Sequence, residues 1–336
     1  MKIIKKREEY HQWEDYRWQI ENSWINTQDI IEMGSLNEQE LLSIKKKNII
    51  KIPPYFYSLI DFADQNCPIR KQVIPRLGSN CFKQDVLNEQ LFSVTPYLVH
   101  KYRNRALFII SIQCAFNCTF CTRTRIKSIK APSMELLKDS FRYLSEHKEI
   151  NEVILSGGDP LLLDDSDLLS ILESLKRINH IKVVRIGTRV PIALPMRITK
   201  ELLEILEVFP VTYINIHVNH PKEITERVKK CLFDLSKAGC ILGSQTVLLR
   251  EINDNVEILS QLFTKLIQCR VRPYYLFQCD HEAGCENFVV DINKGIKLIN
   301  EVQKKIGGLG VPKYVVDSAY TKNVLGPVDI GGVYEA

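Results

Sequence analysis

Apolar and polar positions follow two alternating patterns from about residue 105 onward. Short apolar runs, rich in β-branched and aromatic residues, predict strands that are covered on both faces. These runs lie at 106–110, 153–155, 183–186, 213–217, 242–248, 273–277 and 314–316. Between them apolar residues recur at helical spacing, as at Met134, Leu137, Phe141 and Leu144. The alternation predicts βα units around a parallel sheet, closed or partly closed as a barrel, and therefore an α/β fold class.

The first 95 residues show a different pattern. Trp13, Trp18 and Trp24 lie in a charged, helix-compatible segment, and another helical pattern begins near Leu36 before Pro53-Pro54 interrupts it. We predict a small helical N-terminal region at residues 1–95, with the tryptophans in its core. It would pack on a main domain at residues 96–336, whose C-terminal segment binds substrate and cofactor.

Three cysteines directly follow the first predicted strand of the main domain. Cys114, Cys118 and Cys121 have the spacing C-x3-C-x2-C. Three thiolates suit an iron–sulfur cluster and leave one iron of a four-iron cluster without a protein ligand. Zinc would need a fourth ligand at short spacing, and the next cysteines, Cys231 and Cys240, lie far along the chain. The spacing resembles that of the radical S-adenosylmethionine (SAM) enzymes, which implies a [4Fe–4S] cluster and SAM bound to its open iron.

Composition and charge narrow the class of protein. Of the 336 residues, 45% are hydrophobic and 25% are charged, and the formal net charge is +5. This charge does not by itself indicate a nucleic-acid partner, and no apolar stretch approaches the roughly 18 residues that span a bilayer. The charged N-terminus lacks a following apolar segment, so we predict a reducing, cytoplasmic location. The remaining cysteines are then expected to be small buried apolar residues: Cys67, Cys81, Cys231, Cys240, Cys269, Cys279 and Cys285.

A glycine pair follows the second predicted strand, in Ser156-Gly157-Gly158-Asp159. Two glycines let a backbone approach a ligand closely, and the carboxylate of Asp159 offers an acceptor to an ammonium group. The alternative is a tight turn into a helix that Asp159 caps. Because the motif comes one βα unit after the cysteines, it resembles the glycine-rich element with which radical SAM enzymes hold the amino group of SAM.

Further segments bring the resemblance to one family. They lie at 68–75, 185–189, 194–199, 215–221, 245–250, 270–275 and 278–280. Together they resemble the lysine 2,3-aminomutase family, over a region from about Trp13 through Asp317. The resemblance implies a partial (β/α) barrel of the radical SAM type. It also implies an isomerase that moves an α-amino group to the β-carbon with SAM, a [4Fe–4S] cluster and pyridoxal 5′-phosphate (PLP).

The same resemblance implies roles for individual residues. Arg123 matches the arginine that pairs with the substrate carboxylate, although by itself it could be a surface charge in a basic loop. Asp280 and Asp317 match the aspartates that hold the distal ammonium of lysine, although each could be an ordinary strand-end cap. The two together indicate a basic amino acid, lysine first and arginine or a derivative second. The cofactor-binding residues would include Arg185, His217 and Gln245, with Lys101 and Arg105 available for the phosphate of PLP.

The chain departs from the family where PLP should bind. Members have a proline and a glycine run between the second aspartate and the lysine that holds PLP, whereas this chain has Asp317-Ser318-Ala319-Tyr320-Thr321-Lys322. The backbone amides of such a run would cradle a phosphate. Phe277 also replaces a family tyrosine close to PLP. Lys322 is therefore either the PLP lysine in a remodelled loop or a solvated lysine.

Three functions remain open. The first is a PLP-dependent 2,3-aminomutase of lysine or a similar amino acid. The second is a PLP-independent radical modification of lysine, arginine or a derivative, such as dehydrogenation or epimerisation. The third is a non-catalytic iron–sulfur protein, in which the glycine pair, Arg123 and the two aspartates would have no purpose. The expected partners are a free amino acid and an electron donor such as flavodoxin or ferredoxin, without nucleic acid or membrane.

Overall fold

The computed structural model describes residues 10–25, 36–47, 50–76, 85–123, 126, 128–318 and 320–326. Its N-terminal part consists of short helices and a two-stranded antiparallel sheet. The helices are α1 (Tyr10–Trp13), α2 (Tyr16–Glu21), α3 (Glu38–Lys47), α4 (Pro54–Tyr57) and α5 (Pro68–Lys71), and the strands are β1 (Trp24–Ile25) and β2 (Ile50–Lys51). Proline is the first residue of α4 and of α5, where its missing N–H has no helical partner to lose.

The N-terminal helices pack on the rest of the molecule. Phe56 of α4 stacks on Phe116 with ring centroids 4.6 Å apart. Both belong to one continuous hydrophobic core that also contains Ile69 of α5 and, partly buried, Trp13. The division of the chain after residue 95 stays a prediction.

The main part of the described chain contains a single ten-stranded sheet with the order β12-β11-β10-β9-β8-β7-β6-β5-β4-β3. Its strands are β3 (Ser93–Thr95), β4 (Leu98–Tyr102), β5 (Arg105–Ser111), β6 (Glu152–Gly157), β7 (Val183–Thr188), β8 (Thr212–His217), β9 (Ile241–Leu248), β10 (Arg272–Gln278), β11 (Lys313–Asp317) and β12 (Lys322–Val324). From β5 to β11 each strand pairs in parallel with the next. Every strand predicted from the sequence is present.

Helices connect the parallel strands. They are α6 (Met134–Glu146), α7 (Asp165–Lys176), α8 (Val190–Ala193), α9 (Lys200–Leu206), α10 (Glu226–Lys237), α11 (Val256–Gln268) and α12 (Ile292–Lys305). Their apolar faces are buried against the sheet, as with Leu168, Leu172 and Leu175 of α7. Fully burying one such leucine contributes about 1.5–3 kcal/mol, so the repeated faces supply most of the driving force for this arrangement. Within the part of the chain that the structure describes, every helix is too short or too polar to cross a bilayer.

The sheet curls into a partial barrel. Its end strands are β3 and β12, which do not pair with each other. Side chains of β4 nevertheless reach the end of β11: Tyr102 donates a hydrogen bond to Oδ1 of Asp317 at 3.4 Å, and Lys101 Nζ lies 3.8 Å from the same oxygen. Lys101 also donates to the carbonyl of Ser318. Polar side chains, rather than a ladder of backbone hydrogen bonds, therefore bridge the two sides of the barrel.

Most of the cysteines outside the triplet confirm the expectation of burial. Cys67, Cys231, Cys240, Cys269, Cys279 and Cys285 are buried and not in disulfides. Cys81 lies outside the described residues.

Candidate active site

A cavity of about 400 Å³ lies at the carboxyl ends of the parallel strands, where α/β barrels place their active sites. Every site residue predicted from the sequence lines it. They are Cys114, Cys118, Cys121, Arg123, Ser156, Gly157, Gly158, Asp159, Arg185, His217, Gln245, Lys101, Arg105, Asp280, Asp317 and Lys322. The topology thus joins residues from strands that are far apart in the chain.

The three cysteines lie in the loop after β5 and are partly buried. Among the described residues, no three Cys, His, Asp or Glu side chains converge as a preformed metal site. Cys118 Sγ accepts a hydrogen bond of 3.1 Å from Nη1 of Arg189. Three soft thiols in one cavity, with a cationic donor on one of them, fit the ligand set of an iron–sulfur cluster.

The glycine pair is required by a close approach of two backbones. A side chain at Gly157, where φ is +130°, would place its Cβ 2.0 Å from the carbonyl oxygen of Ser111. A Cβ at Gly158 would lie 2.1 Å from the carbonyl oxygen of Gln113. Gly158 N and Asp159 N instead donate to these two oxygens, at 2.7 and 2.6 Å. The turn after β6 is thereby held directly against the segment that leads into the cysteines.

Asp159 is a buried cap. Its carboxylate accepts hydrogen bonds from Thr188 Oγ1 at 2.6 Å and from the backbone N–H groups of Arg189, Val190 and Leu161 at 2.7, 3.2 and 3.1 Å. Burial raises the pKa of this carboxyl to about 6, and the same hydrogen bonds oppose the rise. The capping alternative therefore describes Asp159, while the contact with the amino group of SAM stays a prediction.

Two polar side chains at the end of β8 leave buried atoms unpaired. Asn215 Nδ2 and His217 Nε2 have no hydrogen-bond partner among the described residues. Burial, with Arg189 nearby, lowers the pKa of His217 to about 3, so the ring is neutral. Gln245 of β9 lies opposite His217 in the strand register. Buried unpaired donors and acceptors are costly, and a polar ligand such as SAM would complete them.

Arg123 is held by two side chains at the cavity wall. Its Nη2 lies 3.1 Å from Oε1 of Glu89, and its Nη1 donates to Ser156 Oγ at 3.0 Å. The Nε atom is buried and has no partner among the described residues. The charge of Glu89 raises the pKa of Arg123, which keeps the guanidinium charged.

Lys322 lies inside the cavity, with 20% of its side chain exposed. Its Nζ is 3.0 Å from Oδ2 of Asp317, and it lies 4.4 and 5.0 Å from the ring centroids of Phe277 and Tyr275. Burial lowers the pKa of Lys322, and Asp317 opposes that effect. Phe277, which stands where the resemblance expects a tyrosine, thus places its ring against the ammonium group of Lys322.

Asp280 is the more perturbed of the two aspartates. Burial, followed by the charges of Asp317 and Glu282, raises the pKa of Asp280 to about 7. Lys322 and Arg123 lower it in part. A carboxyl so far from its ordinary range in a cavity is typical of a functional site.

Two of the predicted cofactor-binding cations already have partners. Arg185 forms an ion pair with Glu152, and Arg105 lies over the ring of Tyr102 with its Cζ 4.0 Å from the centroid. Both still line the cavity beside Lys101.

Sequence reasoning did not assign a role to Arg189, which lies directly after β7. Its Nη2 is 3.1 Å from Oε2 of Glu223 and donates to Gln72, while Asn219 Nδ2 donates to the same Gln72 oxygen at 3.1 Å. Its sequence signals were its place in the family-like segment 185–189 and its position shortly after a predicted strand. Glu89, the partner of Arg123, carried no signal at all.

Comparisons with known proteins show the family of this chain. The model of the Radical SAM superfamily matches residues 108–262. An L-lysine 2,3-aminomutase of Fusobacterium nucleatum is 39% identical over 91% of this chain and 74% of that protein. An L-lysine 2,3-aminomutase of Methanococcus maripaludis is 40% identical, over 94% of this chain and 76% of that protein. A glutamate 2,3-aminomutase of Clostridioides difficile is 33% identical, over 91% and 74%. The cofactors of this chain are a [4Fe–4S] cluster and SAM, and the chain belongs to the lysine 2,3-aminomutase family of radical SAM enzymes.

Proposed function

We propose that this enzyme moves the α-amino group of a free basic amino acid, lysine first, to the adjacent β-carbon. The observation that carries the proposal is a single cavity with three groups of residues. It contains the three cluster cysteines, an arginine for a carboxylate, and two aspartates for a distal ammonium. The lysine aminomutases among the relatives support lysine, and the glutamate enzyme shows that family membership alone does not fix the substrate.

The residues of the cavity divide between the cofactors. When bound, the cluster and SAM supply a 5′-deoxyadenosyl radical, and PLP supplies a path for the migrating nitrogen. Cys114, Cys118 and Cys121 would hold the cluster, and the unpaired atoms of Asn215 and His217 would bind SAM. In this proposal further cavity residues contact SAM: Ser156, Gly157, Gly158, Asp159, Arg185 and Gln245.

Lys322 would hold PLP, with Lys101 and Arg105 on the phosphate. Burial favours the neutral amine of Lys322, which is the nucleophilic form. The ion pair with Asp317 keeps Nζ inside the cavity rather than in solvent. A Lys322 nitrogen engaged by PLP would release Asp317 to bind the distal ammonium of the substrate.

The ends of the substrate are recognised by opposite charges. Arg123, fixed by Glu89 and Ser156, would bind the carboxylate with its fork of N–H donors. Asp280 and Asp317 would share the distal ammonium. If PLP engaged Lys322, the two carboxylates would lose their nearest cation, which supports a substrate that brings another.

Outside the cavity, the proposal includes an electron donor of the flavodoxin or ferredoxin type and a cytoplasmic location. The cluster would have to be reduced by one electron before it could cleave SAM, and the described cysteines include no second cluster motif that could supply it. Residues 1–95 would serve as a helical region that packs behind the cluster loop, as the contact of Phe56 with Phe116 supports.

One observation favours a second candidate. The glycine run is missing, and Lys322 is engaged by Asp317 at 3.0 Å, which would suit a site that modifies a basic amino acid without PLP. The deciding experiment is an anaerobic reaction of reconstituted protein with SAM, dithionite and L-lysine, with and without PLP, analysed by mass spectrometry. A PLP-dependent isomer of unchanged mass supports the aminomutase. Deoxyadenosine together with a dehydrogenated or epimerised product, formed without PLP, would overturn it.

L-Arginine and L-glutamate should be tested in the same reaction. Turnover of lysine with little turnover of glutamate is expected, because the glutamate side chain would bring a third carboxylate to Asp280 and Asp317. The Cys118→Ala protein is the matched control for products that do not depend on the cluster.

A further inference from the structure

Arg189 is a buried cation in direct contact with a cluster cysteine. Only 8% of its side chain is exposed, and its Nη1 donates to Cys118 Sγ at 3.1 Å. The guanidinium Cζ also lies 4.6 Å from the ring centroid of Phe116 and 5.4 Å from that of Phe120. Amino-group migration as proposed above uses neither this charge nor this contact.

A second set of contacts fixes the guanidinium in place. Its Nη2 lies 3.1 Å from Oε2 of Glu223. The other carboxylate oxygen of Glu223 accepts hydrogen bonds from the backbone N–H groups of Asn219 and His220, at 3.1 and 2.8 Å, and from Gln72 Nε2 at 3.0 Å. Glu223 is fully buried, so the arginine cannot exchange this partner for water without a large cost.

The backbone of Arg189 is tied to the turn that follows β6. Its N–H donates to Oδ2 of Asp159 at 2.7 Å, and Asp159 follows the glycine pair packed against Ser111 and Gln113. Arg189 is thus held at two points: Asp159 binds its backbone N–H, and Glu223 binds its guanidinium. A rigid donor of this kind keeps one geometry toward Cys118 Sγ.

The potential of an iron–sulfur cluster depends on its net charge and on hydrogen bonds to its sulfur atoms. A cation beside a ligating sulfur stabilises the reduced cluster, which carries one more electron, and burial strengthens the effect. Glu223 acts in the opposite direction but lies beyond Arg189, on the far nitrogen of the same guanidinium. We propose that Arg189 is a positioning residue that raises the reduction potential of the [4Fe–4S] cluster through its hydrogen bond to Cys118.

The test is a redox titration of the reconstituted full chain, followed by the electron paramagnetic resonance signal of the reduced cluster. It is made without SAM and without substrate, so failure of the proposed aminomutase activity does not affect it. In Arg189→Gln the ratio of reduced to oxidised cluster at a fixed potential should fall about tenfold, equal to about 59 mV for one electron. Arg189→Lys should recover part of the ratio, because it keeps the charge but loses the fork of donors.

The matched control is Arg197, another buried arginine. It forms an ion pair of 2.6 Å with Asp165 and does not line the cavity. Arg197→Gln removes the same kind of buried charge from the same part of the chain, and it should leave the ratio of reduced to oxidised cluster at the wild-type value.

Glu223→Gln tests the sign of the effect. Loss of this anion should raise the ratio of reduced to oxidised cluster, whereas Arg189→Gln should lower it. A general disruption of the site would change the ratio in the same direction in both variants. The proposal is overturned if Arg189→Gln retains its iron and sulfide and titrates as the wild type does. It is also overturned if Arg189→Gln and Arg197→Gln shift equally. Should Arg189→Gln fail to hold a cluster, the Glu223→Gln ratio decides, and a wild-type or lower value there would refute the proposal.

Discussion

We expect the carboxyl of Asp280 to make substrate binding depend on pH. Burial and the neighbouring charges of Asp317 and Glu282 raise its pKa from 3.8 to about 7 in the empty cavity. Below that value Asp280 is mostly protonated and has no charge to offer an ammonium group. Lysine binding must then release a proton, so its affinity should fall about tenfold for each pH unit below about 7. Above about 7 the affinity should level off, because lysine keeps its own charge up to about pH 10.

The shift in the pKa of Asp280 also indicates how much this residue can contribute to lysine affinity. A rise from 3.8 to about 7 corresponds to about 4 kcal/mol for ionising Asp280 in the empty cavity. A substrate ammonium that returned the pKa of Asp280 to its ordinary value would contribute about this amount, which is a factor of about a thousand in affinity. Asp280→Asn should therefore weaken lysine binding by about ten- to a thousandfold near pH 8 and should remove the pH dependence near 7.

Protein stability should respond in the opposite sense. The pKa of Asp280 is higher in the folded than in the unfolded protein, so the substrate-free protein loses stability as pH rises from about 4 to about 7. Asp280→Asn cannot ionise and should be more stable than the wild type above about pH 7. A variant that binds lysine less well while unfolding at a higher temperature would distinguish this cause from a general defect.

The assay is equilibrium binding of L-lysine to the cluster-loaded protein with SAM, from about pH 6 to about pH 9, the range in which Asp280 titrates. 2-Aminohexanoic acid, which has the same carbon chain without the distal ammonium, should bind without this pH dependence. Asp167→Asn, a change at an exposed aspartate of α7 outside the cavity, is the control variant. Lysine affinity that is flat across pH 7, or a slope that persists in Asp280→Asn, would refute the reasoning.

Three further substitutions test separate parts of the site. Cys118→Ala should abolish SAM cleavage, measured as 5′-deoxyadenosine by chromatography, and wild-type turnover would exclude the cluster assignment. Gly158→Ala should lose SAM binding, because its Cβ would lie 2.1 Å from the carbonyl oxygen of Gln113; Gly307→Ala, with no atom within 4 Å of its Cβ, should bind SAM normally. Lys322→Ala should lose the visible absorbance of protein-attached PLP while still cleaving SAM, and an unchanged spectrum would remove Lys322 from the PLP site.

The parallel strands could be predicted because each is covered on both faces. A continuous apolar run, such as Ala106 to Ile110 in β5, is typical of such a strand. The edge strands β3 and β12 could not be predicted in this way. Each has three residues, largely exposed, and is defined by pairing with a neighbour rather than by its own pattern.

The site was predictable where function imposes a local spacing. The cysteine triplet and the glycine pair are continuous motifs, and the aspartates follow strand ends. The contact of Arg189 with Cys118 joins residues 71 positions apart, and it depends on how β7 and the loop after β5 meet. No single segment carries that information. The hydrogen bonds of Asp159 to the backbone N–H groups of Arg189, Val190 and Leu161 depend in the same way on how separate segments meet.

The sequential order of the parallel strands has a consequence for how the enzyme is made. Each strand from β5 to β11 can pair with the one synthesised just before it, so the sheet can grow in step with translation. The cysteines arrive with the first of these strands, but Asp317 arrives with the last. A nascent chain that has emerged only through β10 would carry the cluster loop without a complete amino-acid pocket. We therefore expect binding of the amino acid to require the last parallel strand.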